Sequence, residues 1–418
     1  MSDGPPGLPP PNKWHTASWV LYDLANTVFA ATVTFLLAPH LRADWTGVAN
    51  SAAMIFAAFG TPLVASMADR TDRAGRYCAL ATLGCIAAMV FFGVFTATPP
   101  LLAAFFIATV CYQAALVFYN ALLPSVARPE HMGVVSGLGV GLGYVGTVFT
   151  LVIVIPVQRH YGLPAAFFVA TGTFLIGALP CMLLVRDRRP IASARFSWAL
   201  ARQEGQALLQ SLRDLPRHPT PMWFLIANFF AVDVLNTAIL FYGKLLRAGF
   251  GAAVEHGELV ILGHRVADIG EFLTIGGLAV NLPALVSGLL IGHMADGLGA
   301  RRAYATAIVC LLFGLVGAAV FIGRSPLAFL IAMSCFGGLG LAGIWTAGRK
   351  LLTELVPREQ VGRYFGLYGV TNKVSIIGSS VCGVIMETLG PRMAILSQVL
   401  PLLLALHCLH RMCRAGRR

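Results

Sequence analysis

Apolar and polar positions alternate along the chain in long blocks. Twelve apolar runs, broken by Gly, Pro or clustered charge, cover 17–41, 48–68, 77–97, 101–124, 136–157 and 164–185, then 221–246, 271–294, 303–323, 327–352, 363–387 and 391–410. A membrane-crossing helix needs about 20 apolar residues, so each run predicts one helix, numbered here as spans 1–12. Between spans 6 and 7, residues 186–220 carry seven arginines against three acids and cannot cross a bilayer. This stretch predicts a linker, with an amphipathic surface helix over Ser197 to Leu212.

Composition narrows the class. Of 418 residues 57% are hydrophobic and 11% charged, and mean hydropathy is +0.76. Soluble domains are about 25% charged, so a water-soluble enzyme is excluded. The net charge of +12 would suggest nucleic acid in a soluble chain. Here the arginines sit in short segments between apolar runs, and no nucleic-acid partner is expected. Tails and even-numbered loops hold 22 Lys and Arg, odd-numbered loops hold 7, and Lys373 lies within a span. The positive-inside bias puts both termini in the cytoplasm.

Residues 1–18 hold a proline cluster and no basic region followed by an apolar stretch, so they read as a disordered cytoplasmic tail and not a signal peptide. Residues 411–418 read as a basic cytoplasmic tail. The expected division is thus a six-helix bundle over 19–185, the linker over 186–220 and a second bundle over 221–410. The nine cysteines lie in or beside apolar runs without C-x-x-C pairing, and are read as packing residues with no metal or cofactor expected.

The halves repeat each other. Asp23-Leu-Ala-Asn26-Thr27 in span 1 recurs as Asp233-Val-Leu-Asn236-Thr237 in span 7, 210 positions on. Met67-Ala68-Asp69 recurs as Met294-Ala295-Asp296 at 227, and Gly133-x-x-x-Gly137 as Gly362-x-x-x-Gly366 at 229. An insertion between spans 7 and 8, in an outside loop near 250–270, accounts for the jump. Gly141-x-Gly143-x-x-Gly146 and Gly338-x-Gly340-x-x-Gly343 match the dinucleotide fingerprint by spacing, but both lie inside apolar helices. Close helix packing is the reading that fits them.

An ionisable side chain near the bilayer centre costs roughly 2.5–3.5 kcal/mol on insertion scales and is retained for a cavity or a partner. Asp23, Asp233 and Lys373 are such residues. Asn26 and Thr27 stand three and four positions after Asp23, as Asn236 and Thr237 do after Asp233, so each half presents a carboxylate, an amide and a hydroxyl on one helix face. Arg349 in span 10 falls opposite Asn120 of span 4 at the 229 offset. Competing structural readings stay open: a helix-terminal or fixed-pair carboxylate for Asp23, a fixed pair for Asp233, and snorkelling to the nearby helix end for Arg349.

Gly292-x-x-x-Asp296-x-x-Gly299-x-Arg301-Arg302 between spans 8 and 9 resembles the loop motif of the major facilitator superfamily. In that resemblance the Asp and Arg residues latch helix ends together in one state of a transport cycle. The first-half cognate is Asp69-Arg70 with Arg76, in a longer loop that has Ala65 for the opening glycine. Ordinary positive-inside charge is the bland alternative. Two six-span repeats likewise resemble the two halves of that superfamily, whose substrate site lies between them near the midplane. The fold class expected is all-α: a polytopic membrane protein of twelve transmembrane helices in two pseudo-symmetric halves.

Trp19-Val-Leu-Tyr22-Asp23-Leu-Ala25-Asn26-Thr27 with Phe29, then Tyr119-Asn120-Ala121-Leu122-Leu123-Pro124 and Gly143-Tyr144-Val145-Gly146, resemble the signatures of the vacuole-effluxer-like family within that superfamily. Arg349, Phe365-Gly366-Leu367-Tyr368 and Lys373 resemble its spans 10 and 11, and Gly378-Ser379 stands where its usual pattern is Gly-Pro. The resemblance implies a secondary transporter working by alternating access, with fungal members exporting amino acids from the vacuole.

The function expected is movement of a small polar solute, such as an amino acid or other zwitterion, across a bacterial inner membrane by a monomer. No G-x-x-x-x-G-K-[ST] motif is present, which points to an ion gradient for energy. A carboxylate in an apolar cavity can alternate between charged and neutral as access changes, so protons are the expected partner, carried by Asp233 or Asp23. Asn26, Thr27, Asn120, Asn236, Thr237, Arg349 and Lys373 are the candidate substrate groups, and Lys373 the expected ion-pair partner of Asp233. Two other classes were weighed. A transporter-like receptor or assembly partner would share every feature above. An intramembrane aspartyl hydrolase would need Gly-x-Gly-Asp, and Asp233 follows Phe230-Ala231-Val232 instead.

Overall fold

The computed structural model describes residues 12–37, 41, 43–71, 73–185, 202–203, 206, 210, 213–374 and 377–415. The expected tail before residue 12, most of the linker with its surface helix, the last three residues, and the side chains of Asp69 and Arg70 lie outside the described residues.

Among the described residues the chain is all-α apart from a two-stranded antiparallel hairpin, Val260–Ile261 with His264–Arg265. Among the described residues ten helices are long and apolar enough to cross a membrane. The other two of the expected twelve are spans 1 and 11. Span 1, Lys13–Thr32, carries Lys13, His15 and Asp23. Span 11 is described as Val361–Val374 and Ile377–Leu389, with residues 375 and 376 outside the described residues. Span 7 is longer than its apolar run predicts, Pro219–Glu255, because Ala252, Ala253 and Val254 continue the helix to a C-cap at His256. The expected outside loop is correspondingly shorter, and Asp268 closes it by accepting from the Glu271 N–H at the start of span 8.

Apolar side chains point outward as well as inward. Phe59 is 80% and Ile176 73% exposed, whereas Trp19, Tyr119 and Tyr304 are fully buried and Asp23, Asp233, Arg349 and Lys373 nearly so. Such an exterior suits lipid, which solvates apolar surface and leaves helix packing to van der Waals contact and internal hydrogen bonds.

Packing divides the chain into two units, residues up to Asp214 with Thr353–Val370, and Leu215–Leu352 with Thr371–Arg418. The first differs from the bundle expected over 19–185 by gaining the end of span 10, the turn after it and the start of span 11. That segment is seated by Arg363, whose Nε donates to Ser66 Oγ at 3.2 Å, by Thr353, whose hydroxyl donates to Met132 Sδ at 3.5 Å, and by Gly366 against Pro62. In the second unit span 7 packs chiefly on span 12 and on the second half of span 11.

Candidate functional site

In the first unit the aromatic residues of span 1 build a frame around Asp23. The Trp19 ring stacks on Tyr119 at 4.3 Å and its Nε1 donates to the Tyr119 carbonyl at 2.9 Å. Tyr22 stacks on the other side of Tyr119 at 4.8 Å and shares a 2.6 Å hydroxyl hydrogen bond with Thr82. These contacts fix span 1 to spans 3 and 4 and turn Asp23 toward span 5. There it lies over Gly139, where an added β-carbon would come within 2.8 Å of its carboxylate. Asn26 is buried with its Oδ1 lacking any hydrogen-bond partner, and Asn120 Oδ1 is in the same condition. Unsatisfied buried acceptors are rare because they cost free energy without return. Thr27 is already committed, donating to the Asp23 carbonyl at 2.8 Å.

In the second unit Asp233 faces span 11, where the Gly378 N–H donates to Asp233 Oδ1 at 3.0 Å. The β-carbon of any other residue at 378 would fall on the carboxylate. Where the ammonium of Lys373 was the expected partner, the contact that the structure gives Asp233 is this amide.

Neighbouring polar groups tie span 11 to spans 7 and 9. Asn228 Nδ2 reaches Thr371 Oγ1 and Asn372 Oδ1, each at 2.9 Å, and its Oδ1 accepts from the Tyr304 hydroxyl at 3.1 Å. Asn236 Nδ2 donates to the Asn372 carbonyl at 3.3 Å. Thr237 and Ser379 share a 3.0 Å hydroxyl hydrogen bond. Sequence reading missed Asn228, Asn372 and Tyr304, although amide residues within apolar runs were a visible signal.

The two Asp-Asn-Thr triplets match in sequence and differ in depth. Asp23 and Thr27 face Gly139 and Gly143, each 116 positions on, while Asp233 and Thr237 face Gly378 and Ser379, 145 and 142 on. Spans 5 and 11 repeat at 229, as their leading turns Pro129–His131 and Arg358–Gln360 show. With the triplets 210 apart, equal depth would put the partners of span 7 at 135 positions on. Its carboxylate therefore lies ten residues farther along its partner helix and its hydroxyl seven, roughly 15 and 10 Å at 1.5 Å per residue.

The loop between spans 8 and 9 also departs from expectation. Asp296 pairs with Lys350 of span 10 at 2.6 Å, both side chains largely buried, and the same ammonium donates to the Ala295 carbonyl at 3.1 Å. Arg301 and Arg302, expected in that role, are exposed, as is Arg76 in the first-half loop. They lie in the first turns of spans 9 and 3, and a span 10 lysine reaches Asp296 instead. Gly292 is buried one turn before Asp296. Arg349, next to Lys350, is buried at 7% exposure, against simple snorkelling. The glycine patterns that resemble dinucleotide fingerprints pack helices: a β-carbon at Gly143 would meet Thr27, and one at Gly340 would meet Leu311.

With these features in place, the comparisons with known proteins fall on one family. Residues 46–414 match the family model described as ATG22, vacuole effluxer Atg22 like. The chain belongs to that family. Among relatives of the Atg22-like chain, the uncharacterized MFS-type transporter YxiO of Bacillus subtilis is 24% identical over 405 residues, 89% of this chain and 88% of that protein. Autophagy-related protein 22-1 of Aspergillus fumigatus is 24% identical over 61% of this chain and 44% of its own length. Among solved structures, the human organic anion transporter MFSD10 superposes with a TM-score of 0.74 at 13% identity, covering 95% of this chain and 98% of that one. The proton:xylose symporter XylE gives 0.66 at 12% identity, over 94% and 93%. The fold is that of the major facilitator superfamily, and the Atg22-like chain is a multi-pass membrane transporter of that type.

Proposed function

We propose that this Atg22-like transporter is a proton-coupled secondary carrier of a small zwitterion, of which an amino acid is the leading example. It works by alternating access as a monomer in a bacterial inner membrane, with both termini cytoplasmic. The observation that carries the reading is Asp233: a carboxylate 5% exposed within an apolar bundle, facing the backbone N–H of Gly378 in span 11. A charge held there by one amide changes its surroundings whenever spans 7 and 11 move against each other, and a group whose surroundings change is one that can bind and release a proton during the cycle.

The remaining groups divide by what they already touch. Asn26 and Asn120, with unsatisfied buried acceptors, are suited to a donor such as an ammonium. Arg349 and Lys373 are the cations for a carboxylate, and Asp23 is the second acidic group beside the amides. Thr27, Asn236 and Thr237 are bound to protein partners and hold helices in place. Export is the direction suggested by the effluxer name of the family. Asp296 and Lys350 serve as the latch of the second half, with Asp69 and Arg70 the proposed counterpart in the first.

Purified protein in liposomes with an imposed pH gradient tests the reading. Gradient-driven accumulation of an amino acid is expected. Failure across amino acids, small peptides and organic anions, with binding preserved in thermal-shift assays, would favour a receptor over a carrier.

A further inference from the structure

Span 12 ends in the helix Val399–Ala415, whose two faces differ. Leu402, Ala405, Leu409 and Met412 are buried, and the helix packs on spans 7 and 9. The opposite stripe runs in steps of four and three residues through Leu400, Leu404, His407, Arg411 and Arg414, all exposed. In a bilayer this is a surface offered to lipid. It is apolar at first, and His407 marks the change to a basic end.

That basic end has no acid to balance it. No Asp or Glu follows Glu387 in the chain, and none stands between Pro219 and Asp233 in span 7. Among the described residues neither Arg411 nor Arg414 makes an ion pair or a hydrogen bond. Arg411 instead lies over the ring of Trp223, near the start of span 7, at 5.3 Å from its centroid. The ring attracts the cation without taking up its N–H donors, so the guanidinium is held in place with its fork open. A tryptophan at a helix end also marks the level of the lipid headgroups.

We propose that this corner of spans 7 and 12 binds one anionic phospholipid of the leaflet nearest Arg414. The phosphate accepts from Arg411 and Arg414, and an acyl chain lies along Leu404 and Leu400. Arginine forks match pairs of phosphate oxygens, and basic pockets between membrane helices take up acidic headgroups. The basic end continues the leucine stripe without a gap, which selects a lipid over a soluble phosphate: only a lipid satisfies both parts at once. A zwitterionic lipid carries its own ammonium beside the phosphate and gains less from two arginines.

Native mass spectrometry of the full chain, delipidated in detergent and titrated with phosphatidylglycerol, counts the bound lipid. The first phosphatidylglycerol should bind about tenfold more tightly than phosphatidylcholine, and the double variant Arg411→Gln, Arg414→Gln should lose that advantage. Arg324→Gln with Arg392→Gln removes the same charge from exposed positions at the other end of the unit and should leave binding within about twofold of the parent. Arg411→Lys with Arg414→Lys keeps the charge and should recover part of the lost binding, which separates a lost site from a damaged fold. Equal binding of the two lipids by the parent would overturn the site, as would equal losses in the two glutamine double variants or no recovery with lysine. Inorganic phosphate at millimolar concentration should leave the lipid bound. Displacement by it would overturn the lipid as occupant and point to a soluble anion.

Discussion

The Gly378 N–H donates to Asp233 Oδ1 at 3.0 Å, so a backbone amide of span 11 faces the carboxylate of span 7. The contact depends on glycine, since a β-carbon at 378 would occupy the carboxylate's place. Gly378→Ala should therefore lower transport by roughly tenfold or more, because a group displaced by an ångström loses a step that depends on its position. Gly383→Ala, where the new β-carbon would stand 3.3 Å from the Phe241 ring, should cost far less. Initial rates of the two variants in the same liposomes make the comparison, and equal losses would count against the special role of Gly378.

Asp296 and Lys350 form a largely buried pair. Removing one partner leaves the other charge uncompensated, a loss of about 3–5 kcal/mol for a buried pair. Asp296→Asn and Lys350→Met should each destabilise the protein and shift the balance of its conformations, with substrate affinity kept within a few fold. The double variant should recover much of the stability. Thermal unfolding and a distance probe across the helix ends would measure both, and abolished substrate binding without a conformational shift would contradict the latch.

Tyr22 donates to or accepts from Thr82 at 2.6 Å within a fully buried aromatic stack. Tyr22→Phe leaves Thr82 its bond to the Cys78 carbonyl at 2.7 Å, so the loss should be about 1 kcal/mol. Trp19→Ala removes a stacked ring and should cost about 3–5 kcal/mol. Similar unfolding temperatures for the two variants would show that the aromatic frame does not hold span 1.

From the uneven distribution of Lys and Arg we propose that the 186–220 linker is cytoplasmic. A single cysteine introduced there into a cysteine-free background should be protected from an impermeant maleimide added to intact cells and should react after permeabilisation. Labelling in intact cells would invert the topology.

Much of the fold was legible because lipid imposes a simple rule: a span must be long and apolar, and loops collect the charge. Asp23, Asp233, Arg349 and Lys373 stood out for the same reason, as charges where charge is costly, and all four are buried. What the sequence hid depends on helix register. The shared Asp-Asn-Thr spelling does not reveal the partners of either triplet, because register is set by the glycines and hydroxyls of spans 5 and 11, which differ between the halves. Lys350 was passed over because it lies 54 positions from Asp296 and only the packing of spans 8 and 10 joins them.

The most direct test of the account is uphill transport by Asp233→Asn, an isosteric change that keeps an acceptor for the Gly378 N–H and removes the titrating proton. Proteoliposomes carrying the variant should fail to accumulate substrate against its gradient when a pH difference is imposed, yet still exchange labelled for unlabelled substrate at a rate near the parent's. Undiminished pH-driven accumulation by Asp233→Asn would contradict the account and pass the coupling role to Asp23.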